Sequence, residues 1–304
     1  MRFLVLVLAS AAWAAAESHP SWWSYASPEA TALVGIQWEN LRQSVFSEAV
    51  GAELSSAGSL GFPDLACLKG STQILISSPP VLAVVTGTFP PATLRAQATG
   101  KALKPVNYRG LDLWISPGKT TLSVAYIGEQ ILLVGMRKTL EDAIDRSLAE
   151  SGRRYSPLLA RAARLSGGKD LWVVAAQLPD PLASLFVPID VEASSFEGSV
   201  SVRDGLQLEA TLDAASQEAA AAVAEDLRQS TPLLPAIART LEITVEDKKV
   251  LLALAVNRQQ LSANLRTAEA PQRAAAPKPA QESRIIRILG LDEGPREIIL
   301  PPPK

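Results

Sequence analysis

The sequence predicts an α+β protein in which largely antiparallel sheets carry helices on one face, assembled from repeated ββα-like units, with two similar halves as one way of arranging them. Three observations carry that class. Apolar, β-branched runs come in pairs joined by short Gly-, Pro- or Asp-bearing turns, which makes hairpins and therefore antiparallel pairing. Between the pairs lie segments with a single apolar stripe at helical spacing, as a helix covering a sheet requires. The strand-strand-helix order then recurs along the chain.

The elements follow in order. TALVGIQW (31–38) is a short apolar strand, and ENLRQSVFSEAVGAEL (39–54) is a helix with Leu41, Val45, Phe46, Ala49 and Val50 turned to a core. Residues 55–71 form a glycine-punctuated loop holding Cys67. TQILISS and VLAVVTGTF, parted by Pro79 and Pro80, are strands, and PPATLRAQATG opens with prolines that suit a helix N-terminus. LDLWIS, TTLSVAYIG and QILLVGM form a meander. From about Lys138 a helix begins, with Thr139 and Asp142 as its capping box and Leu140, Ala143, Ile144 and Leu148 as its apolar face.

The later stretch repeats the plan. DLWVVAAQL (170–178) is a buried strand, and FEGSVSVRDGLQLEATLD is a hairpin turning at Arg203-Asp204-Gly205. Ser216 caps a helix that runs to about Gln229. The hairpin LEITVEDKKVLLALAV and the short helix RQQLSANLR end the folded part. The boundaries that result are 1–16, 17–150 and 151–266 for a leader and two α+β halves, then 267–283 and 284–304.

Residues 1–16 read as a secretory signal: Arg2, an apolar run from Phe3 to Trp13, and Ala14 and Ala16 at the small-residue positions of a cleavage site. That run is too short to cross a bilayer core, which takes about 20 apolar residues. Export to a periplasmic or extracellular compartment is the expectation. With Cys67 the single cysteine, no internal disulfide forms, so burial alone must hold the fold. The net charge of −2 favours neither nucleic acid nor an anionic membrane as partner.

The chemical inventory mostly excludes. His19 is the single histidine and lies close to the expected cleavage site, which leaves Ser-His-Asp and Cys-His catalysis without a base. One Cys and one His build no zinc site, and no calcium loop occurs. Gly118-Lys119-Thr120 resembles the end of a phosphate loop, but Leu113 stands where that motif needs glycine. No catalytic, cofactor-binding or metal-binding residue is therefore assigned, and no cofactor is expected. Asp112, Glu129, Asp190, Glu192 and Glu197 remain as carboxylates from which a hydrolase could draw an acid/base pair. Trp114 and Trp172 sit in strand runs and read as core, whereas the adjacent Trp22-Trp23 either folds back over the core or lies on a partner or membrane interface.

TAEAPQRAAAPKPAQES (267–283) has neither an aromatic nor a branched aliphatic residue and reads as a disordered linker. Beyond it, RIIRILGLDEGPREIIL has two apolar runs flanking a Gly294 turn, with Pro295 restricting the second run to an edge strand or irregular arm. This segment is the candidate docking element, through Ile286, Ile288, Leu289, Leu291, Ile298, Ile299 and Leu300. Its expected partner is another protein or the chain's own sheet edge, by strand addition.

The tandem units over residues 30–265, clearest in VRDGLQLEATLDAASQEAAAAVAEDL, together with the ending IRILGLDEGPREIIL, resemble exported bacterial proteins of the acidobacterial type. The resemblance implies a compartment and a fold, and no activity. The function expected is that of an exported, non-enzymatic binding or scaffold protein of the cell envelope, with a carboxylate-dependent hydrolase and a membrane-surface protein as alternatives.

Overall fold

The structure is a computed structural model, and it describes residues 20–47, 70–100, 103–116, 122–149, 157–177, 193–234, 236–261, 285–288 and 296–299. The leader, His19, Cys67, the Gly118-Lys119-Thr120 turn and the 267–283 linker lie outside the described residues.

Hairpin chemistry dominates the chain. β2 (Ser71–Ser78) and β3 (Leu82–Gly87) pair around Pro79-Pro80, and β6 (Ser123–Ile127) and β7 (Ile131–Gly135) pair around Gly128. β9 (Ala193–Ser201) and β10 (Gly205–Ala214) close at Arg203-Asp204, and β11 (Glu242–Glu246) and β12 (Lys249–Asn257) at Asp247-Lys248. One further strand, β4 (Lys104–Tyr108), pairs with β5 (Leu111–Ile115) through Arg109 and Gly110, both at positive φ as a two-residue hairpin turn demands.

β1 (Ala32–Ile36) organises all of them. It bonds antiparallel to β2 on one edge and to β8 (Leu171–Ala175) on the other, with Gly35 opposite both Leu75 and Trp172. The result is one sheet of twelve strands in the order β11-β12-β10-β9-β8-β1-β2-β3-β7-β6-β5-β4, every pair antiparallel. The two stretches expected as halves thus share a continuous sheet, and β1, from the first stretch, is their seam.

The α+β class and the antiparallel sheet are as the sequence predicts. The helices, however, occupy both faces rather than one. On the first face Leu33, Leu75, Leu82, Val84, Leu133 and Trp172 pack under α3 (Arg137–Leu148), α4 (Pro157–Ser166) and the 3-10 helix Ser21–Tyr25. On the other, Ile74, Ala83, Val85, Leu132 and Val134 meet Trp38 of α1 (Trp38–Gln43), Phe89 and Leu94 of α2 (Pro91–Gly100). Strand alternation carries that second face along β1, where Ile36 packs with this cluster and Ala32 with the next, which lies under α5 (Gln217–Ser230). The reason is in the sequence of β3 and β7: LAVV and ILLV are continuous apolar runs, and such strands need cover on both sides.

Three local expectations are corrected. α3 starts at Arg137 after Met136, which makes no side-chain cap, and Thr139 is buried inside the helix instead of capping it. α1 ends at Gln43, where the Ser44 hydroxyl donates to the Leu41 carbonyl, so Val45 falls past the helix and is exposed. Trp114 is half-buried rather than core. Ser216 does cap α5, its hydroxyl accepting from the Ala219 N–H at 3.1 Å.

Trp172 explains why position 35 is glycine. A Cβ on Gly35 would stand 2.0 Å from the Trp172 indole, which lies across the β1 backbone and itself meets Trp23 at 5.3 Å between ring centroids. Gly35→Ala is expected to destabilise the fold by about 2 to 3 kcal/mol through overpacking, read from the urea midpoint at unchanged m-value. Gly100→Ala, where an added Cβ meets nothing within 4 Å, should leave that midpoint unchanged or slightly raised.

Candidate functional site

The docking residues assigned from sequence fall in a ribbon. β13 (Ile285–Ile288) and β14 (Arg296–Ile299) form a two-stranded antiparallel sheet with the register Ile285↔Ile299, Ile286↔Ile298, Arg287↔Glu297 and Ile288↔Arg296. Of the named residues, Ile286, Ile288, Ile298 and Ile299 are in these strands, whereas Leu289, Leu291 and Leu300 lie outside the described residues. The ribbon belongs to a compact unit, Ser262–Lys304, distinct from Met1–Leu261, which contains the twelve-stranded sheet.

Within the sheet unit, polar side chains gather where β9, β10 and β12 turn their non-core face outward. Arg161 of α4 donates to Glu197 at 2.5 Å and to the Ser195 hydroxyl at 3.2 Å. Ser195 in turn donates to Asp213, and Lys249 pairs with Asp213 at 3.7 Å. Lys169 reaches Glu209 at 2.7 Å on the same face. The outcome is a lattice of alternating charge in which each carboxylate has a cation or hydroxyl partner. Sequence spacing alone does not reveal it, because it is assembled by cross-strand register and by α4.

A second polar feature is buried. The Asp170 side chain is fully enclosed and accepts from the Val202 N–H at 2.7 Å, from Asn40 Nδ2 at 2.7 Å and from the Ser201 hydroxyl at 3.3 Å, with Arg203 at 3.6 Å. Its own carbonyl takes the Gln37 N–H. One carboxylate thereby ties α1 to the entry of β8 and the exit of β9. This is a saturated structural node: all of its contacts are internal, and burial of a charge is tolerable only when it is met by donors in this way.

The remaining carboxylates proposed from sequence are not brought together. Asp112 is exposed on β5, 3.9 Å from Arg95, and Glu129 is exposed in the β6–β7 turn. Asp190 and Glu192 lie outside the described residues. Elsewhere Asp145 accepts from the Tyr108 hydroxyl at 2.8 Å and from Arg109 at 3.2 Å, and that hydrogen bond to Asp145, ahead of burial, raises the phenol above its ordinary pKa. Arg146 donates to the Tyr25 carbonyl at 3.0 Å, and burial lowers the pKa of its guanidinium. Trp23 is buried and Trp22 half-buried against the same core, which ends in a tilted contact with Trp172 and an edge-on contact between the adjacent pair.

No family model and no curated protein sequence matches this chain. In fold it is similar to solved structures of TP0453: crystal form I superposes with a TM-score of 0.57 at 9% identity, covering 82% of this chain and 98% of that one. Crystal form III gives 0.55 at 10% identity, over 82% and 99%. At such identity the likeness shows a shared α+β fold. No helix among the described residues is long and apolar enough to cross a membrane.

Asp170→Ala is expected to cost about 2 to 4 kcal/mol, since it strands the buried Val202 N–H and the Asn40 amide. Arg203→Ala, which removes a side chain 60% exposed, should cost under about 1 kcal/mol. Chemical denaturation of both variants reads the contrast, and equal losses would show that Asp170 depends on Arg203 rather than on the enclosed donors.

Proposed function

We propose that the protein is an exported, non-enzymatic binding or scaffold protein of the bacterial cell envelope and that its C-terminal ribbon is the contact element. The observation that carries this reading is the ribbon. Strands of four residues in a two-stranded sheet are marginal in water by themselves, and the five isoleucines among those eight positions favour a paired, covered state. Strand addition to another sheet edge supplies both hydrogen bonds and cover.

Three further features support it. The leader-like N-terminus favours export. The ionic lattice on β9, β10 and β12 joins its carboxylates to cations and a hydroxyl, an arrangement that holds a surface in shape instead of presenting a free acid and base. Trp22 and Trp23 are engaged with the core, so the aromatic pair that favoured a membrane-surface role has a structural task.

Deletion of residues 284–304 is expected to abolish affinity capture of the envelope partner from the protein's own cells, while the melting temperature of the remaining chain stays within about 2 °C of the parent. Retention of the same partners and oligomeric state by the truncated protein would remove the ribbon from the role.

A further inference from the structure

The twelve-stranded sheet has two outer strands, β4 and β11, and they are finished differently. β4 reads Lys104-Pro105-Val106-Asn107-Tyr108: Pro105 has no N–H to offer a newcomer, and Lys104 and the following Arg109 are exposed cations. These are the ordinary means by which an edge is closed to pairing. β11 reads Glu242-Ile243-Thr244-Val245-Glu246, a strand with every N–H present, Glu242, Thr244 and Glu246 exposed, and Ile243 and Val245 packed against the α5 core cluster.

Its outer side is engaged by a long side chain. Arg228, in the last turn of α5, donates to the Ile243 carbonyl at 3.0 Å and pairs with Glu225 at 3.6 Å. A guanidinium N–H here occupies the place an incoming strand's backbone N–H would take. It is 47% exposed, and a solvent-exposed hydrogen bond of this kind is weak enough to be exchanged for another.

We propose that β11 is the strand-accepting edge of the sheet, that Arg228 is its latch, and that the strand it accepts is β13 of a second copy of this chain. The inference rests on the reading of the ribbon as a contact element and names its partner. Charge decides between the occupants. Two β11 strands pairing antiparallel about Thr244 would set Glu242 opposite Glu246 twice, which repels. β13 carries Arg287 and no acidic residue, and its intramolecular partner across the ribbon is Glu297. Adding β13 to β11 of another copy gives a ladder of alternating sign, with Arg287 between Glu297 and a β11 glutamate. The β4 edge, with its cations and proline, offers β13 neither complement nor full hydrogen bonding. Because the receiving edge and the donated strand belong to different compact units of the chain, one copy can donate and receive at once.

The test uses the full chain in sedimentation velocity over a concentration series, with amide hydrogen exchange at β11 and β13. Self-association is expected, with protection of Ile243–Val245 and Ile285–Ile288 rising with concentration. Glu242→Lys with Glu246→Lys, and separately Arg287→Glu, should each weaken association about tenfold. Mixing the two variants should restore it, since the reversed strand of one fits the reversed edge of the other. Arg228→Ala should tighten association about threefold by freeing the Ile243 carbonyl. A chain that stays monomeric, or protection at β11 that does not change with concentration, overturns the proposal. If ribbon deletion still abolishes partner capture while the β11 reversals change nothing, the ribbon's role stands and the β11 assignment falls.

Discussion

Everything in the sheet depends on a single strand with both edges occupied. β1 is five residues long, yet the strands built from residues 71–135 and those built from residues 171–257 are continuous only through it. The strand is held where it is by a close approach: Trp172 packs on Gly35, Trp23 meets Trp172 at a tilt, and the absence of one Cβ is what lets the indole come this near the backbone. Trp23 and Trp172, both almost fully buried here, add transfer and dispersion gain at this junction. Asp170 then fixes the same junction from the polar side, by gathering donors from α1 and from the exit of β9.

A sheet without cross-links must find its stability in area, and the two-faced cover does this. β3 and β7, buried along most of their length, form the slab's apolar centre, while the strands toward β11 alternate between a core face under α5 and an outward face laced by ion pairs. The transition from doubly covered to singly covered strands follows side-chain pattern: continuous apolar runs in the middle, alternation at the flank. The polar lattice around Arg161 ties α4 to the outward face of β9 and β10.

Much of this was legible from residue order, and the misses have specific causes. Strand pairs with short turns were readable because β-branched runs and Gly, Pro or Asp punctuation are local signals, and Ser216 declared its helix through one hydroxyl. β4 is not legible because Lys104-Pro105 and Asn107 hide a strand whose pairing is set by the Arg109-Gly110 turn. α4 has its signal in Pro157 at its first position and in Leu158, Leu159 and Ala162 on one side, though it is not among the elements expected. The expectation of a single covered face fails because the continuous apolar runs of β3 and β7 demand cover on both sides, which helix stripes alone do not indicate. The Asp170 node and the Arg161 lattice could not be read at all, since their members are brought together by β1 and by cross-strand register. Of the docking segment, the two isoleucine runs are legible, and they pair antiparallel.

The placement of β1 has a consequence for how the chain reaches this state. Asn40 and Asp170 are 130 residues apart, and the β1–β8 ladder beside them spans a similar stretch. A strand made early must wait for one made late before its second edge is satisfied, so the centre of the sheet is among the last parts able to close, and such non-local topology folds slowly. During that interval β1 presents an unpaired edge, the kind of surface on which partly folded chains stick together.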